Sequence, residues 1–170
     1  MIKKLTTQSL ILTLALSIGS VQAKPKEKVS ILKSQHTCTI RDSPQNALAC
    51  AIYFEARSDG PKGMLYVAHV ILNRRGHSEY PDKVSKVVYQ KHQFSYISKR
   101  GMKIYDQKSW KEATDIAKKL LSTSEEKRRL QDPTRGAIFF VKKGRKPYWS
   151  RKMIRTSSYK THVFYKEKVK

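Results

Sequence analysis

The chain has 170 residues, of which 36 are Lys or Arg against 13 Asp or Glu, for a formal net charge of +23. That length allows one ordinary domain with a single core, and that charge calls for an anionic partner: nucleic acid, an anionic membrane surface or an anionic polymer. No HxxxH or HxH cluster, glycine-rich phosphate loop, G-x-S-x-G elbow or nucleotide fingerprint occurs, which argues against zinc, nucleotide and serine-nucleophile enzymes.

Residues 1–23, MIKKLTTQSLILTLALSIGSVQA, have a basic head at Lys3 and Lys4, an apolar stretch over 10–21 and small residues at Val21 and Ala23. This is the pattern of a secretory signal peptide cleaved after Ala23. Its apolar run of about a dozen residues falls short of the ~20 that span a bilayer, so no stable membrane span is expected after cleavage. Losing Lys3 and Lys4 leaves 34 − 13 = +21 on the mature chain. Export to periplasm, wall or medium disfavours nucleic acid as the partner. Residues 24–37 are lysine-rich with few large apolar groups and are predicted to be a flexible basic arm, with the folded domain over 38–170. In an oxidising compartment Cys38 and Cys50 can close a short disulfide loop; a free, half-buried Cys50 with an exposed Cys38 is the alternative.

Ser43-Pro44 gives an N-cap followed by proline at the first helical position and predicts a helix over 44–57. Asp59-Gly60-Pro61 breaks the chain. Over 62–73 the apolar residues Met64, Leu65, Val67, Ala68, Val70, Ile71 and Leu72 wrap nearly all round, predicting a buried central helix ended by Gly76. Pro81 opens a short third helix through Val84, Val87 and Val88. QKHQFSYISKRGMKIY then reads as a polar loop with aromatics, a common form of binding rim. A fourth helix is predicted over 109–121, with Trp110, Ala113 and Ala117 on one side, followed by a charged, exposed stretch over 122–129. Beyond Asp132-Pro133, GAIFFV and THVFY are predicted to pair as strands across a basic loop holding Pro147, Tyr148 and Trp149. The fold class is α+β, mainly helical, with a small antiparallel β element near the C-terminus.

Leu48, Ala51, Ile52 and Glu55 share one face of the first helix, so a carboxylate occupies the stripe meant for the core. Burial and the nearby helix C-terminus both push its pKa up. An acid poised near neutral pH is what protonating a glycosidic leaving oxygen requires; a buried ion pair with Arg57 or another arginine fits the same pattern. A second carboxylate normally completes a glycosidase. Asp132 is the best candidate, although Asp-Pro-Thr is also an ordinary turn whose aspartate bonds its own backbone. His69, in the apolar helix, reads as a satisfied core residue rather than a ligand.

The blocks ALACAIYFEARSDGPKGMLYVAHVILNRR, YPDKVSKVVYQKHQFS, DPTRGAIFFV, PYW and HVFY, spread over 45–165, resemble the SleB-like cell wall hydrolases, the family of spore cortex-lytic catalytic domains. The resemblance implies a lysozyme-like fold, peptidoglycan glycan strands as substrate, and Glu55 as general acid at the bond between N-acetylmuramic acid and N-acetylglucosamine. The same glutamate would then act as base while the muramoyl hydroxymethyl oxygen attacks, leaving an anhydro end and needing no second carboxylate or cofactor. It also implies that Tyr53, Gln93 and Phe94 line the saccharide cleft, with Tyr53 and Phe94 as core aromatics the alternative. Asn73, Asp132 and Thr134 fall on family blocks too, as binding residues or as caps and turns. Phe54 stands where the family shows glycine, Ser58-Asp59 where it shows Gly-Glu, and Ile138-Phe139-Phe140 where it often carries His or Tyr. A monomer is expected. An N-acetylmuramoyl-L-alanine amidase and a non-catalytic cationic wall-binding protein are the alternatives.

Overall fold

The computed structural model describes residues 34, 36–91, 93–94 and 101–168. The predicted signal peptide and nearly all of the predicted basic arm lie outside the described residues.

Ser43 Oγ accepts from Asn46 N at 3.2 Å and Pro44 takes the first turn of α1 (Pro44–Ala56), as cap chemistry dictates. A 3-10 turn (Arg57–Asp59) leads into α2 (Gly60–Arg75), and α3 (Val84–Val88) follows, starting at Val84 rather than at Pro81. Leu48, Ala51 and Ile52 of α1 and Met64, Val67, Ala68 and Ile71 of α2 are wholly buried. Both helices are therefore central, where the sequence singles out α2 alone.

α4 (Gln107–Ser122) has Asp106 as N-cap, accepting from Ser109 N at 3.0 Å, and lays Ala113, Ala117 and Leu120 against α1 and α2. Before it, β2 (Met102–Ile104) pairs antiparallel with β1 (His36–Cys38), with Cys38 opposite Met102. β1 thus begins within the segment predicted as arm and β2 within that predicted as loop. Cys38 and Cys50 form a disulfide that ties β1 to α1. Replacing both cysteines by alanine is expected to cost about 3 kcal/mol by releasing the short loop in the unfolded chain, measurable as a lower denaturant midpoint with unchanged slope.

After α4 comes α5 (Glu125–Leu130), capped by Ser124, in the stretch predicted to be charged and exposed. β3 (Phe139–Lys142) and β5 (His162–Lys166) pair antiparallel as predicted, with Phe140 opposite Phe164. β4 (Ile154–Tyr159) adds an edge strand beyond β5 and a 3-10 turn (Tyr148–Lys152) occupies the basic loop. Val70, Ala137 and Phe164, with Tyr66 stacked on Tyr159 at 5.1 Å, join α2 to this sheet.

Asp59 latches the two parts together. It is 2 % exposed, its Oδ2 accepts from Thr161 Oγ1 at 2.7 Å and lies 2.9 Å from His162 Nδ1, and its carbonyl accepts from Lys160 Nζ. Burial acts to raise this carboxyl, but the Thr161 and His162 contacts outweigh it and hold it below the ordinary range. Gly63 is required here, because a Cβ would meet Asp59 Cβ at 2.2 Å. Among the described residues no helix is long and apolar enough to cross a membrane.

Candidate active site

Glu55 stands one residue before the end of α1, half-buried, on the stripe completed by Leu48, Ala51 and Ile52. Burial pushes its pKa up, and the positive charge of Arg74 pulls the other way. Among the described residues its carboxylate has neither a hydrogen bond nor an ion pair within 4.0 Å. The arginine that faces it is Arg74, not Arg57, whose guanidinium lies over the Tyr53 ring at 4.9 Å.

Arg74 gathers the site. Only 7 % exposed in the last turn of α2, it donates from Nε to Ile138 O at 2.7 Å and from Nη1 to Gln93 Oε1 at 2.9 Å. Its guanidinium carbon sits 5.5 Å from the Tyr80 ring and 5.9 Å from those of Phe94 and Phe140. Burial lowers its pKa while Tyr80 and Glu55 oppose the shift, but a guanidinium stays charged regardless. One cation therefore links α2, the QF segment and the start of β3, and its charge acts on Glu55 of α1. In sequence Arg74 reads as an ordinary cation at a helix C-terminus, and only its adjacency to Asn73 inside a long block hinted at more.

Gln93 and Phe94 are thus brought to Arg74 and, through it, towards Glu55. Tyr53 is not: it is 4 % exposed, its hydroxyl accepts from Asp106 N at 3.3 Å, and its ring meets Trp110 edge-on at 6.2 Å, against α4. Asp132 and Thr134 form a separate knot. Asp132 Oδ1 accepts from Thr134 N at 2.8 Å and from Thr134 Oγ1 at 2.6 Å, while Oδ2 accepts from Gly136 N and from Asn73 Nδ2, both at 2.8 Å. With four donors on a carboxylate 4 % exposed, Asp132 has the environment of a turn organiser. His69 is buried as expected, but its Nδ1 is unmet, 3.5 Å from Asp132 Oδ1. Among the described residues, the grouping His36, Cys38, Asp42 and Cys50 comes close enough to hold a metal. Its two sulfurs are joined in the disulfide and cannot supply thiolates.

Two solved structures share this fold. The catalytic domain of the Bacillus cereus SleB protein aligns with a TM-score of 0.56 and 22 % identity, covering 72 % of this chain and 89 % of that one. The catalytic domain of the germination-specific lytic transglycosylase SleB from Bacillus anthracis aligns with a TM-score of 0.53 and 22 % identity, covering 72 % and 93 %. The fold is therefore the α+β fold of SleB catalytic domains. Residues 58–165 match the cell wall hydrolase family, and the chain belongs to that family. No curated protein matches. The family match begins at Ser58, so Glu55 lies just ahead of it.

Proposed function

We propose that this cell wall hydrolase cuts peptidoglycan glycan strands at the bond between N-acetylmuramic acid and N-acetylglucosamine, as a lytic transglycosylase with Glu55 as its acid and base. The observation that carries the proposal is Glu55 itself, a half-buried carboxyl whose pKa burial raises and which, among the described residues, has no hydrogen bond. Three other carboxylates of the fold are spent: Asp42 on Thr39 N and the Tyr89 hydroxyl, Asp59 on Thr161 and His162, Asp132 on its turn.

Protonated Glu55 donates its proton to the glycosidic oxygen as that bond breaks, and positive charge develops on the muramoyl ring. The resulting carboxylate then takes the proton of the ring's own hydroxymethyl group while that oxygen bonds to the anomeric carbon. The proton count closes without water, and Asp132 has no free lone pair with which to serve as nucleophile. Gln93, held by Arg74, is the residue of that segment placed to border the cleft; Phe94 is 6 % exposed and packs in the core beside Arg74, and Tyr53 supports α1 from the α4 side. Export follows from the substrate and the leader-like first residues, and the polymer's anionic groups draw in a chain of this charge.

Purified wall sacculi separate the reactions. Soluble glycan fragments should appear on digestion; stem peptides released from intact glycan would establish an amidase instead. A pH profile probes Arg74. Glu55 must be protonated to act, and a neighbouring cation lowers its pKa, so Arg74→Met should shift the alkaline limb of the rate profile to higher pH. Arg74→Lys should leave the limb near its original position. A shift to lower pH would remove Arg74 from this role.

A further inference from the structure

We propose that the cavity between the end of α2, α5 and the 132–138 turn is a binding site for a small oxyanion, a phosphate or a carboxylate, received by Arg128. The cavity has a volume of about 340 Å³ and is lined by Asn73, Gly76, Glu125, Arg128, Arg129 and Gly136 among others. It is built from different side chains than the Glu55–Arg74 grouping, and the proposal stands independently of the reaction assigned to Glu55.

Arg128 is 6 % exposed. A guanidinium so placed carries five N–H donors and a charge that is costly to desolvate unless paired. The protein gives it one backbone acceptor, Thr123 O at 3.3 Å from Nη1, and no carboxylate within 4.0 Å among the described residues. The near carboxylates are committed elsewhere. Glu125 pairs with Arg129 and, at 3.7 Å, with Arg75, and Asp132 is saturated by Asn73, Thr134 and Gly136. The guanidiniums of Arg75, Arg128 and Arg129 therefore share the field of one carboxylate, that of Glu125, which pairs with the other two and not with Arg128. Burial lowers the Arg128 pKa, and the repulsion of Arg75 and Arg129 adds to it, with Glu125 opposing.

The contact with Thr123 O, at the C-cap of α4, uses one N–H of the guanidinium, and Ser124 caps α5 without it. Arg128 lines the cavity, and a bidentate oxyanion is the group whose geometry and charge a guanidinium fork matches. Such groups occur both as phosphate esters and as the carboxylates of peptide ends, and the two sources are separable by experiment.

The test is a titration of the isotope-labelled mature chain with inorganic phosphate and, separately, with acetate, at ionic strength held constant with chloride. Saturable shifts of the Gly76, Arg128, Arg129 and Gly136 amides are expected with at least one anion, and which one saturates identifies the source chemistry. Arg128→Gln should weaken that binding about tenfold or more, whereas Lys111→Gln on the exposed face of α4 should not. Without added anion, Arg128→Gln should melt no lower than the wild type, because an uncompensated buried cation has been removed. Shifts spread evenly over surface lysines, local shifts that survive Arg128→Gln, or a variant less stable than wild type in anion-free buffer would each overturn the proposal.

Discussion

Glu55→Gln is expected to lower turnover of purified peptidoglycan by about a thousandfold, the scale of a lost general acid, while leaving the fold intact. The substitution keeps size and shape but cannot deliver a proton. Its effect on stability has a definite sign. Burial raises the Glu55 pKa in the folded state, so the fold favours the protonated carboxyl, and stability declines as pH rises from the unfolded value through the folded one. At neutral pH glutamine relieves that cost, and the variant should melt at the same temperature as the wild type or higher. A structural ion pair with Arg74 predicts the reverse, a clear loss of stability, since a buried cation would be left alone. Release of soluble fragments and a thermal melt on the same preparation distinguish the two.

Asp132→Ala is expected to cost about 4 kcal/mol of stability, because four donors lose their acceptor, two of them on the wholly buried Thr134, at roughly 1–3 kcal/mol for each buried one. Those donors belong to α2 (Asn73 Nδ2), to the turn itself (Thr134 N and Oγ1) and to Gly136 N. The loss should therefore loosen the joint between α2 and the start of β3, where Arg74 Nε holds Ile138 O. Activity should fall with the folded fraction and recover at low temperature. Asp132→Asn should be milder, retaining one acceptor oxygen. If Asp132→Ala kept full stability but lost turnover, Asp132 would be the second catalytic carboxylate.

The long helices were legible because their signals are local. Ser43-Pro44 starts α1 by cap chemistry, and the apolar wrap from Met64 to Leu72 marks α2 as buried. β3 and β5 were legible from their aromatic, β-branched runs. β1, β2 and α5 were not, since elements of 3 or 6 residues carry too little periodicity to stand out from loop. β4 escaped because IRTSSY is a polar edge strand with no buried face to impose alternation.

At the site, Glu55 was visible as a carboxylate on an apolar stripe, a conflict between pattern and chemistry that a single helix reveals. Arg74, Gln93, Tyr80 and Phe140 belong together only through tertiary packing between segments far apart in the chain, and no local spacing encodes that. The disulfide was legible as a possibility from its short loop; the choice between it and free thiols needed the placement of β1 against α1.

The most direct test of the central claim is the mass of the glycan fragments released from purified sacculi by the mature chain and by Glu55→Gln. The proposed reaction predicts muropeptides with anhydro ends, lighter by one water than hydrolysed products, from the wild type and none from the variant. Fragments with ordinary hydrolysed ends, or anhydro products that persist with Glu55→Gln, would contradict it.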